Sequence, residues 1–245
     1  CLRAYPGTLD LDGFDGVRDQ VCEIAVVWVS SSGEKVPTPR HSIVRPSVPC
    51  SLEARAEHHI SDEEMKKAPT MVELLDDWSD AFPRVKNRRA ETVMVAHNLA
   101  FDRRLLMQSG VPAGSLPLRS LCTVRLAKHV FPDAPSYSNQ VLRYFLDLKP
   151  IVGGEYPAHR AIADAGVTAS LLVSMLLKKS ADDLVKLGGQ PALLLTCRIG
   201  NKHRGKPWSQ IADPGYLRWI LNGDFDEDVK YTARYWLDKL ARPGS

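Results

Sequence analysis

YPAHRAIADAGVTASLL, residues 156–172, sets a histidine and a carboxylate five residues apart, His159 and Asp164, where a helix should begin. Downstream, Val167, Leu171, Leu172, Met175 and Leu176 recur at helical spacing. They predict an amphipathic helix over about 160–179 with one face on a core. His159 then stands at the open N-terminal end, and Asp164 lies a turn inside. A histidine titrates near neutral pH and can serve as a mobile base, while a helical aspartate is held in place as a hard metal ligand. Taken alone, the pair reads more simply as a polar helix start with a solvated aspartate.

A second stretch, TVMVAHNLAFDRRLL (residues 92–106), repeats the theme upstream. Thr92 to Ala96 read as a short buried strand, His97-Asn98 as a turn, and Leu99 to Leu106 as a helix carrying Asp102. Strand, His-Asn turn, Phe and Asp followed by arginines resembles the second motif of the DnaQ-like DEDDh 3'-5' exonucleases, and HRAIAD (159–164) resembles their third. The segment after the first motif, IVRPSVPCSLEARAEHHISDEEM, and YSNQVLRYFL (137–146) are similar to that family as well. IGNKHRGKPWSQIADPGYLRWIL (199–221) looks like the C-terminal module of its exodeoxyribonuclease X group.

The resemblance implies an α/β ribonuclease H-like fold with a mixed five-stranded sheet flanked by helices, plus a small α+β C-terminal module. It also implies two Mg2+ or Mn2+ ions, spaced about 3.5–4 Å as in two-metal sites. Asp102 and Asp164 would be two of four carboxylate ligands, and His159 the general base. The first motif departs from the family pattern, a strand ending in Asp-x-Glu. TLDLDGFDG (8–16) offers Asp10 and Asp12, with Asp in place of Glu, or Thr8 and Asp10 if Gly13 takes the family glycine. The Asp10/Asp12 register is preferred because it keeps two hard oxygen ligands. The other register removes a charge and points to a catalytically degenerate fold kept for nucleic-acid binding or scaffolding. Phe14, His97, Asn98 and Arg103 would lie beside the nucleic acid.

Charge distribution supports a phosphodiester partner. The net charge is only +3, but residues 103–132 and 184–212 contain no Asp or Glu. The second run carries Lys202, Arg204 and Lys206, cations that attract a phosphate backbone, although a solvated loop has the same composition. DNA is the expected partner by resemblance, with RNA and strandedness left open, and a homodimer is compatible with the sequence.

At 245 residues, 44% hydrophobic, the chain can bury one ordinary core and a small appendage. Gly188, Gly189 and Pro191 mark a boundary, giving a core over 1–187 and a module over 188–245. Ser180 to Leu187 is expected to link outward, and Leu193 to Ile199 to form a strand. No apolar run reaches the ~20 residues of a membrane span, and no charged-then-apolar leader is present. Five scattered cysteines without a C-x-x-C spacing read as reduced thiols, and so as a cytoplasmic protein. Three antiparallel strands should open the fold, with Val21 to Val29 as the buried one.

Overall fold

The computed structural model describes residues 2–5, 20–30, 39–47, 50–78, 92–156 and 159–242. Three strands pair antiparallel in the order β1 (Leu2–Tyr5), β2 (Gln20–Val26), β3 (Arg40–Ile43). Residues 21–25 of β2 are all buried, so both faces of this strand are covered. Its β-branched composition suits that position. Three short helices follow, α1 (Leu52–His58), α2 (Asp62–Lys67) and α3 (Met71–Asp77). Ser51 caps the first, and capping boxes start the others, Ser61/Glu64 and Thr70/Glu73.

β4 (Val93–Ala96) runs through the His97-Asn98 turn into α4 (Leu99–Gln108), and β5 (Arg119–Cys122) returns parallel to β4. This is a strand–helix–strand crossover. The N-cap Asn98 has φ 65°, a left-handed conformation that asparagine tolerates better than most residues. Then come α5 (Thr123–Val130), α6 (Asn139–Phe145), α7 (Ala161–Leu176) and α8 (Ala181–Gly188). One apolar cluster joins β2 to α3 and α4 through Ile24, Leu74 and Leu105. Another joins β5, α5, α7 and α8 through Leu121, Leu126, Leu171 and Leu184. Helices therefore cover both sides of the strands, an α/β arrangement.

Several expectations need correction. Five strands are present, but among the described residues they pair as sheets of three and two rather than as one. A cavity of about 370 Å³ lies between β2 and β4, bounded also by α7 and α8. The segment expected to link outward is α8, capped by Ser180 and anchored by the fully buried Leu184. The amphipathic helix of residues 160–179 is α7, and it is buried around most of its circumference. Small residues make that possible: a strap over residues 149–153 crosses directly on Gly166, with Ser170 Oγ donating to the Lys149 carbonyl at 2.7 Å.

Beyond residue 190 the chain has a core of its own, built on Trp208, Leu217, Ile220 and Val229. Its helices are α9 (Pro214–Asn222) and α10 (Glu227–Ala241). The expected strand at 193–199 is a single bridge, Thr196 to Pro207. Proline has no N–H with which to extend such a ladder. The tail is tied to α5 by Lys128 on Asp228 and by Arg125 on Glu227 at 3.4 Å. Arg198 also donates to the Ala134 carbonyl at 3.0 Å and lies over the Tyr137 ring. No single helix among the described residues is long and apolar enough to cross a membrane, and the four described cysteines form no disulfide.

Candidate active site

The start of α7 is held from a distance. Its N-cap, Arg160, makes no side-chain cap bond, and the residue before it, His159, is exposed with φ 73°. Buried Glu23 of β2 supplies the missing acceptor: its Oε2 takes the Ala161 N–H at 2.7 Å. Its Oε1 accepts from Arg160 Nε at 2.8 Å and from His41 Nε2 at 2.7 Å, and pairs with the second Arg160 nitrogen at 2.7 Å. Burial pushes the Glu23 carboxyl up, but the hydrogen bonds from His41, Arg160 and Ala161 outweigh it and bring the pKa down to about 2. The group is an anion at any working pH.

Asp164 sits in the first turn of α7, half-buried. Its Oδ1 accepts from Gln140 Nε2 at 3.1 Å, and its carbonyl accepts from Asn139 Nδ2 at 3.2 Å. The YSNQ segment thus turns two amides onto the helix that carries the candidate ligand. Asp102 occupies the first turn of α4 and is buried. It borders the cavity between β2 and β4 together with Ala165, the residue after Asp164. Both carboxylates lie at helix N-termini, where the backbone dipole favours negative charge.

His97 faces inward: its Nδ1 lies 2.9 Å from Thr123 Oγ1, joining the turn to the start of α5. Burial pulls its imidazole down to about 4, partly opposed by a backbone hydrogen bond at Tyr137. It is therefore neutral in the fold. Asn98 and Arg103 are exposed, and Arg104 lies over the Phe101 ring at 5.7 Å. In the tail, Lys202 Nζ pairs with Asp213 at 2.6 Å and His203 Nε2 contacts the same oxygen at 3.0 Å. Asp213 also caps α9 through Tyr216 N–H. Lys202 is thus engaged in holding its own loop, while Arg204 and Lys206 are exposed. On α9 Trp219 is half-exposed, against Tyr216 and Phe225 at 5.6 and 5.0 Å.

Thr8, Asp10, Asp12 and Phe14 lie outside the described residues; β1 itself ends at Tyr5. Among the described residues no three His, Cys, Asp or Glu side chains gather as a metal-binding group. The donors that are described, the carboxylates of Asp102 and Asp164, are hard oxygens of the kind Mg2+ and Mn2+ prefer. Sequence reasoning missed Glu23, Asn139, Gln140 and Trp219. Glu23 stands out in the sequence only as the one charge inside a buried strand, because two of its three partners, Arg160 and Ala161, lie more than 130 residues away.

An exposed histidine just before a helix that bears an aspartate, with a second aspartate at the start of another helix of an α/β fold, suits the class of carboxylate-site nucleases. Within that class the chain belongs to the RNase T exonuclease family, whose model matches residues 10–172, and it is a DnaQ-like member. Exodeoxyribonuclease 10 of Escherichia coli (strain K12) is 30% identical over 229 residues, 91% of this chain and 94% of that protein. The PolC-type DNA polymerase III of Caldanaerobacter subterraneus is 26% identical over 171 residues, 69% of this chain but 11% of the polymerase. Among solved structures, exonuclease X in complex with 5' overhanging duplex DNA superposes with a TM-score of 0.55 at 28% identity, covering 69% of this chain and 91% of that one. The nuclease domain of 3'hExo, a DEDDh family member bound to rAMP, gives 0.54 at 16% identity over 73% and 90%, a likeness of fold alone.

Proposed function

We propose that this protein is a metal-dependent 3'-5' exonuclease that hydrolyses DNA from its 3' ends and releases nucleoside monophosphates. The observation that carries this reading is the whole-length similarity to exodeoxyribonuclease 10, which takes in both the His159 helix and the tail. Asp10, Asp12, Asp102 and Asp164 would hold two Mg2+ or Mn2+ ions; when bound, these would acidify the attacking water and offset charge on the leaving 3'-oxygen. His159 would take the proton from that water. Glu23 and Gln140 keep the helix start and Asp164 in place. Arg204 and Lys206, with Trp219 as a stacking surface, would hold the strand outside the cleft. The core would span residues 1–187 and the module 188–245, in a cytoplasmic setting that keeps the thiols reduced.

One observation favours a second reading. β1 ends at Tyr5 and is followed by Pro6, Gly7 and Thr8, where the family pattern ends a strand in Asp-x-Glu. A chain without carboxylates there would bind nucleic acid without cutting it. The match of the family model from residue 10 supports Asp10 and Asp12 instead.

The deciding experiment incubates a 5'-labelled DNA oligonucleotide with the purified protein in Mg2+ or Mn2+, with EDTA as control, and follows stepwise shortening. His159→Ala should cut turnover about 10²–10⁴-fold with metal affinity kept. Asp12→Glu should preserve or raise turnover by restoring the family ligand. Binding without shortening in the parent and in Asp12→Glu would establish the degenerate reading, and an RNA preference would redirect the substrate.

A further inference from the structure

The structure assigns Glu23 as the positioning residue for the His159 base: a buried carboxylate on β2 latches the first turn of α7 and so fixes the chain on which the histidine hangs. This inference rests on the exonuclease reading given above and names the residue that orients its base.

Tyr156 and residues 159–161 are gripped from two sides. On one side, the strap at 149–153 is pinned to α7. Ile151 N–H donates to Ser170 Oγ at 3.1 Å, and Gly153, with φ 72°, packs so closely that a Cβ there would meet the Ile162 carbonyl oxygen at 2.7 Å. On the other side, Glu23 takes the Ala161 N–H and both nitrogens of the Arg160 fork. His41 of β3 completes the carboxylate's contacts, and Tyr156 closes the box, its ring 5.8 Å from the Arg160 guanidinium and 5.9 Å from the His41 ring. His159 lies between these grips, exposed and in a left-handed backbone conformation that a histidine rarely adopts. Such a conformation persists only where the surroundings impose it.

Chemistry explains why the latch is a carboxylate. One Glu oxygen serves the orphan N–H at the helix start, which Arg160 as N-cap cannot satisfy with its own side chain. The other takes the planar guanidinium, so Arg160 is spent on Glu23 and does not reach for the phosphate backbone. Glu23 touches neither His159 nor Asp164 through any of these bonds, so its effect on the reaction passes through the main chain at 160–161. Misplacing a catalytic group by about 1 Å can cost about 10²-fold in rate.

The test uses the full-length chain with Glu23→Gln, Glu23→Ala and His159→Ala, singly and combined. Glu23→Gln keeps an oxygen for the Ala161 N–H and loses the ion pair, so its turnover should lie between those of the parent and Glu23→Ala. Glu23→Ala should fall about 10²-fold. KM for a DNA oligonucleotide and the Mn2+ dissociation constant should stay within about twofold of the parent, as expected of a change confined to the base. The decisive arm is the double-mutant cycle. If Glu23 acts through His159, Glu23→Gln added to His159→Ala causes no further loss, whereas additive losses overturn the proposal. A second readout needs no turnover: exchange of the Ala161 amide, followed by NMR, should accelerate in Glu23→Gln while amides in α9 and α10 keep their rates. An Ala161 amide that exchanges as in the parent overturns the latch. A parent that cuts no DNA refutes the exonuclease reading and leaves this exchange arm to decide the latch by itself.

Discussion

Replacing Gly166 by alanine sets two effects of opposite sign against each other, and the structure decides between them. On helix propensity alone, alanine in a helix interior is better than glycine by about 1 kcal/mol. Gly166, however, lies where the Val152 backbone crosses α7. A Cβ there would overlap the Val152 carbonyl oxygen and come to 3.0 Å from its carbon. The clashing atoms are backbone, so no rotamer relieves them, and the strap must lift by roughly 1.5 Å to restore ordinary contact. Overpacking of this kind costs about 1–3 kcal/mol. Lifting also weakens the Ile151 N–H bond to Ser170 Oγ and the Ser170 Oγ bond to the Lys149 carbonyl, each worth about 0.5–1.5 kcal/mol. After the propensity gain is subtracted, the net effect is about 2 kcal/mol destabilising, or about 4–8 °C in Tm for a chain of this size. Thermal melts and urea titrations of the parent and Gly166→Ala measure it directly. The strap leads to His159, so turnover should drop by more than the unfolded fraction accounts for, with Mn2+ affinity kept. An unchanged or raised Tm would refute the reasoning, because it would mean that the strap yields freely.

Two further outcomes are expected. Held neutral in the fold with its pKa at about 4, His97 takes up a proton in the unfolded chain near the ordinary value of 6.5. The fold-depressed base therefore contributes stability that is complete above pH 6.5 and is lost as pH falls toward 4; His97→Asn should flatten that part of the urea-midpoint profile, and equal slopes would remove the effect. In the tail, Arg204→Ala and Lys206→Ala should each reduce the slope of log K against log salt for DNA binding by about one unit, whereas Trp219→Ala should weaken binding with the slope intact. A slope that stays at the parent value in Arg204→Ala/Lys206→Ala would place those cations off the DNA.

Local signals account for what could be read from the sequence. The capping boxes at Ser61 and Thr70, the apolar spacing along 161–176 and the turn at Asn98 are each written within a few residues, and each element forms where those residues stand. β5 carries only four residues, RSLC, with an arginine and a serine first. Its identity as a strand comes from β4, with which it pairs in parallel. α8 was hidden for a different reason. Asp182, Asp183 and Lys186 give it the look of a linker, and one face, centred on Leu184, seats it in the core.

The site divides along the same line. Asp102, His159 and Asp164 each belong to a compact motif; Asp102 and Asp164 stand in the first turns of their helices and His159 just before α7, and Asp102 and Ala165 border one cavity. What holds the start of α7 was not legible, since Glu23 meets Arg160 and Ala161 across a separation of 137 and 138 residues. A single glutamate inside an otherwise apolar strand is a useful signal in its own right. An unpaired buried carboxylate costs several kcal/mol, so its presence in β2 requires partners, and the backbone N–H groups at a helix start are among the few that do not compensate elsewhere. From Glu23 alone one can infer that donors, such as the N–H groups of a helix start, must reach the middle of β2. The helix that does so is the one that carries His159.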